Sequence, residues 1–182
     1  YDPCEEGWDI LLEAKGKYEA DDELFPVSDI LEINGLDDTL WSLRCLPEYD
    51  NLWRKFAWWC ANEVVSNASD PRVKKCLDVV WKHSEGQATD EELKLAKIAA
   101  ISACSLDSVK EALAASYAAV CSTACSTARH AVHYAIYSTV SCVANYAAGS
   151  VYYAEGSAAY ATTRKAQTIK LKEILNTGVF VK

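Results

Sequence analysis

The sequence predicts an all-α protein: short N-terminal helices, compatible with HEAT-like pairing, packed on a bundle of long alanine-rich helices. Three observations predict it. Apolar residues recur at three- and four-residue spacing between Leu40 and Trp81. Thr89-Asp90-Glu91-Glu92 is a capping box, in which the hydroxyl takes one orphan amide and the carboxylate reaches back to another. Beyond Pro71 no proline interrupts the chain.

Each element has its own local reason. Trp8, Ile10, Leu11 and Leu12 predict a first short helix stopped near Gly16, followed by a solvated acidic connector over 19–23. Ser28 and Asp29 are expected to cap a short helix over 30–33, closed by Asn34-Gly35. Asp37 or Asp38 is expected to cap the next, with Leu40, Trp41, Leu43 and Leu46 on its apolar side. Pro47 suits the first position of a third helix, where its missing N–H costs nothing. That helix places Leu52, Trp53, Phe56, Ala57, Trp59, Cys60 and Val64 on one broad face, with Arg54, Lys55 and Asn62 opposite. Asp70-Pro71 starts another, with Val73, Cys76, Leu77, Val80 and Trp81 inward and a stop at Glu85-Gly86.

From 97 to 163 only Lys97, Asp107, Lys110, Glu111, Arg129 and Glu155 are charged. Alanine, serine, threonine and cysteine fill the stretch, so it must be covered rather than stand in water. One helix from 90 to 175 would run about 130 Å at 1.5 Å per residue. Three helices are therefore expected, roughly 90–103, 107–147 and 157–175, with breaks over 105–108 and 149–156. Small residues let such helices approach closely, and tyrosines fill what remains. A strand-rich reading of 136–163, suggested by its Val, Thr and Tyr, is the competing assignment. Lys165, Lys170 and Lys172 are expected to close the last helix with cations.

Composition divides the chain into a tryptophan-rich acidic region, 1–86, and an alanine-rich region, 87–182, expected to form one compact domain. All six tryptophans lie before residue 82. Residues 1–95 carry 22 acidic and 10 basic side chains, whereas 96–182 carry 4 and 8, for a total of −8. That sign disfavours nucleic-acid backbones and suits a basic partner, or simply solubility. No CxxC pair or zinc-like His/Cys spacing occurs among the eight cysteines. Cys45, Cys60, Cys76 and Cys104 fall in helical apolar patterns, so reduced thiols and a cytoplasmic setting are expected.

The 25 residues 130–154 lack Lys, Arg, Asp and Glu, but their Ser, Thr, Tyr and Asn favour burial in protein over a membrane span. The sequence opens on Tyr1 and holds no methionine, so a start residue or short leader is expected before it.

Candidate chemistry is sparse. Asp37 and Asp38 with Arg44 could form an acid/base or anion site, against capping plus a surface ion pair. Arg54, Lys55 and the outer side of Trp58 could form a binding patch, because Trp58 and Trp59 are not expected both to face the core. Cys121, Cys125, His130 and His133 could approach a zinc site, but they do not share one helical face. No phosphate-loop, dinucleotide, HExxH or GxSxG signature occurs, so neither an enzyme nor a cofactor is expected.

The stretches 7–23, 30–46, 49–64, 70–86 and 88–100 resemble a family of alanine-rich immunity proteins of bacterial and phage genomes. Gly35-Leu36-Asp37-Asp38, Leu40-Trp41 and Leu43-Arg44 carry most of that likeness. The resemblance implies an all-α, non-enzymatic protein that neutralises a toxin or a defence component. Asp37, Asp38, Trp41, Arg44, Arg54, Lys55, Trp58 and Trp59 are then the expected partner-binding residues. A protein that sequesters a nucleotide-like ligand through Arg129 and the histidines is one alternative, and a structural homo-oligomer is another.

Overall fold

The computed structural model describes residues 3–65, 70–103 and 158–181. Every regular element among them is helical. Helix α1, Glu5–Ala14, begins with Glu5 and Glu6, where the positive end of the helix dipole favours carboxylates. Helices α2, Val27–Ile33, and α3, Leu36–Ser42, fold back on each other around Gly35. Its φ of 87° lies in the left-handed region that only glycine enters at little cost. Two 3-10 turns, Leu43–Cys45 and Pro47–Tyr49, lead into α4, Asp50–Val65. Helices α5, Pro71–Ser84, and α6, Asp90–Ala103, follow, and the last described helix, α7, spans Ala158–Thr177.

One core joins these elements. Phe56, Ala57, Cys60 and Ala61 of α4 lie in it with Val73, Cys76, Leu77 and Val80 of α5. Helix α6 adds Leu93 and Ala100, and the α2–α3 hairpin adds Leu31, Leu36 and Leu40. Leu171 and Ile174 of α7 complete it, with no exposed surface. The core therefore runs across the composition boundary at 86/87, because α7 packs on α2 and α4. Burial of side chains of this size stabilises by roughly 1.5–3 kcal/mol each.

Local capping chemistry behaves as expected at two helix starts. Asp70 accepts the Arg72 backbone N–H at 2.8 Å ahead of Pro71. At α6 the Thr89 N–H donates to Glu92 Oε2 at 2.8 Å, and the Glu92 N–H donates to Thr89 Oγ1 at 3.2 Å. Three other starts differ. Helix α2 begins at Val27 behind Pro26, without a side-chain cap. Asp29 is drawn instead to Lys15, at the end of α1. Helix α3 begins after Gly35, so Asp37 and Asp38 sit inside its first turn rather than capping it. Pro47 opens a 3-10 turn, and α4 itself starts at Asp50.

Helix α7 matches the predicted third long helix within two residues at each end. It runs on to Thr177, so its last turn carries no cation. Lys170 reaches past that end to the Val181 carbonyl at 2.7 Å and lies over the Phe180 ring. The expected helix over 107–147, its breaks, the competing strand assignment, the apolar run 130–154 and the Cys121–His133 group lie outside the described residues. Among the described residues no helix is long and apolar enough to cross a membrane.

Candidate functional site

Helix α1 crosses the α2–α3 hairpin at Gly7. A Cβ there would lie 2.5 Å from Asp38 Oδ2 and 2.9 Å from Cys4 Sγ, so glycine permits the approach. Asn34 fastens it by donating through Nδ2 to the Gly7 carbonyl at 2.7 Å and to Asp38 Oδ2 at 2.9 Å. Beside this clasp the two elements part. They leave an apolar groove of about 700 Å³, walled by Trp8 and Leu11 on one side and Val27, Ile30 and Trp41 on the other. Asn34 and Asp38 are its main polar side chains, and Asn34 Oδ1 is buried without a hydrogen-bond partner. Cys4 and Cys45 line the same groove as exposed free thiols. Partial burial pushes the Cys45 thiol up, with nearby Arg44 opposing it.

The eight predicted partner-binding residues divide between two places. Asp38 and Trp41 line the groove. Arg44 lies beside them, its guanidinium 4.1 Å from the Trp41 ring centroid and its Nε donating to the Trp41 carbonyl at 2.8 Å. The guanidinium thus stacks on an aromatic face, an arrangement that arginine's planar cation favours. Asp37 turns away from the groove and meets Arg164 of α7 at 2.5 Å.

Arg54, Lys55, Trp58 and Trp59 lie on α4, a different helix from those that wall the groove. Lys55 pairs with Glu85 at the end of α5 and lies over the Trp81 ring. Trp58 is buried, correcting the expected outward face. Its Nε1 donates to the Leu77 carbonyl at 2.9 Å, and its ring centroid lies 4.7 Å from that of Trp81. Trp59 packs half-buried against the core and stacks on Phe56. Adjacent tryptophans can both touch the core because α5 supplies a carbonyl for one indole N–H and the wide apolar face of α4 holds the other ring.

Sequence reasoning missed most of the groove: Cys4, Trp8, Leu11, Val27 and Ile30 belong to it. The available signal was a strongly acidic N-terminal stretch that is also rich in large apolar residues. Cys45 is likewise exposed rather than buried, whereas Cys60 and Cys76 are core residues. Burial pushes the Cys60 thiol well above the usual range, against the opposing charge of Arg164. Among the described residues no cluster of three metal-ligating side chains occurs.

No family model, curated protein or solved structure matches the chain.

Proposed function

We propose that this is a non-enzymatic inhibitory binding protein of biological conflict, which neutralises a toxin or a defence component in the bacterial cytoplasm. The groove between α1 and the α2–α3 hairpin carries the reading. It is a large apolar concavity in the most acidic part of the chain, and Asp38 and Trp41 line it. Clefts of this size with few polar groups are where proteins take ligands and anchor residues. The resemblance of residues 7–95 to immunity proteins points the same way, since Gly35, Asp38 and Trp41 belong to its most specific part. The free thiols of Cys4, Cys45, Cys60 and Cys76 suit a reducing compartment. On α4, Lys55 and Trp58 also serve the scaffold, through Glu85 and the Leu77 carbonyl.

Affinity capture with the intact chain from bacterial lysates tests this. One stoichiometric partner is expected, and adding the protein should inhibit that partner's activity in proportion to dose. No partner from several hosts, or a partner whose activity is untouched, overturns the reading.

A further inference from the structure

We infer that the groove between α1 and the α2–α3 hairpin receives an amphipathic helix of a basic partner, apolar side inward and lysine or arginine side toward Asp38 and the acidic segment 1–46 that supplies the lining. This rests on the proposed binding function and names the chemistry of its partner.

Charge selects the sign of the occupant. Residues 1–46, which supply every lining residue, hold 13 acidic and 3 basic side chains. Two of those cations are engaged locally: Lys15 with Asp29, and Lys17 with Asp21 and Glu23. The third, Arg44, lies over Trp41. Helix α7 adds two more cations, Arg164 on Asp37 and Lys172 on Glu32, and the excess of acid over the segment remains. Glu5, Glu6 and Asp9 stay exposed on α1. A cationic segment is therefore drawn in, and an anionic one is repelled.

The lining selects the conformation of the occupant. Trp8, Leu11, Val27, Ile30 and Trp41 offer apolar surface and almost no hydrogen bonds. Ser42 already donates to the Thr39 carbonyl at 2.8 Å, and the Asn34 amide is committed to Gly7 and Asp38. An extended peptide would bury unpaired backbone groups here, because no described element offers a strand edge. A helix satisfies its own backbone and presents apolar side chains at three- and four-residue spacing. The Asp38 carboxylate, which lines the groove, is the acceptor for one inward-reaching cation.

The probe is a leucine/lysine amphipathic peptide of about four helical turns, titrated into the intact chain by calorimetry. Its controls are a leucine/glutamate counterpart and a scrambled leucine/lysine peptide without helical periodicity. Micromolar binding of the first alone is expected. Asp38→Asn and Cys45→Lys should each weaken it by about tenfold, near 1.4 kcal/mol. Cys45 is exposed, so its variant keeps the fold, as circular dichroism would verify. Equal binding of the scrambled peptide, or indifference to both variants, overturns the inference. So does a small molecule retained in native mass spectra and lost on Cys45→Lys.

The two proposals fail separately. A captured, inhibited partner indifferent to Cys45→Lys removes the helix-in-groove inference and leaves the binding function standing. Peptide binding with no partner in any host removes the function and leaves the groove's chemistry.

Discussion

Asp37 and Arg164 are 127 positions apart in sequence and 2.5 Å apart in space. Their ion pair ties the first turn of α3 to the first half of α7, and a second pair, Lys172 with Glu32 at 2.6 Å, ties α7 to α2. The C-terminal helix thus braces the hairpin that forms one wall of the groove. Removing the pair should loosen that brace. A double-mutant cycle of Asp37→Ala and Arg164→Ala, read by chemical denaturation, should give a coupling of about 0.5–1 kcal/mol, weakened by salt.

The apolar half of the same contact is stronger. Ile174 is fully buried in the common core, and Ile174→Ala should destabilise the whole unit by roughly 2–5 kcal/mol. A single cooperative transition with a lowered midpoint is expected. Unfolding of α7 alone, with the tryptophan signal unchanged, would show that the two regions are separate.

Trp58 separates scaffold from contact surface. Trp58→Phe loses the indole hydrogen bond to Leu77, leaving a buried carbonyl less satisfied, and should cost about 1–3 kcal/mol. Binding of the leucine/lysine probe should stay within about twofold of the parent at a temperature where both are folded. Trp41→Ala should do the reverse, with a small stability change and a loss of probe binding.

Two carboxyls tie stability to acid. Hydrogen bonds from the Arg72 side chain and then its backbone N–H hold Asp70 below its ordinary range. The Thr89 N–H and then its hydroxyl do the same for Glu92. Each folded-state value is depressed, so the stabilisation is present above the unfolded values, about 3.9 and about 4.3. It is lost as pH falls through the folded values. The melting temperature should hold above about pH 5 and drop below about pH 4. Asp70→Asn with Glu92→Gln should lower it at neutral pH and flatten the acid slope.

Thiol labelling reads the groove without a ligand. Native alkylation followed by peptide mapping should modify Cys4 and Cys45 and spare Cys60 and Cys76 until the chain unfolds. Cys45, whose thiol burial pushes up, should react faster as pH rises. Bound leucine/lysine peptide should shield both groove thiols.

Helix type and several boundaries were legible in advance, at Gly16, Asp70-Pro71, Glu85-Gly86 and Thr89. The signals there are short-range: Asp70 caps an amide two residues on, and Thr89 and Glu92 are three apart. Asp29, Asp37 and Asp38 look equally like caps in sequence, yet none caps a helix. Lys15 and Arg164 reach Asp29 and Asp37 from other parts of the fold, while Asp38, inside the first turn of α3, accepts from Asn34 four residues before it. Asp38 and Trp41, named from the sequence as binding candidates, line the groove together with Trp8 and Ile30, which were not named. Half a groove on each of two elements leaves no periodic trace in either.

The sequence by itself determined that the described residues are helical and where several helices start and stop, because helix propensity and capping are decided within a turn or two of chain. Only the tertiary structure decided which apolar faces meet and which remain open as a groove. It put the Trp58 indole under Leu77, made α7 part of the same core as α4, and set α1 against Asp38 across Gly7. Those outcomes depend on distances between residues far apart along the chain, which no local pattern records.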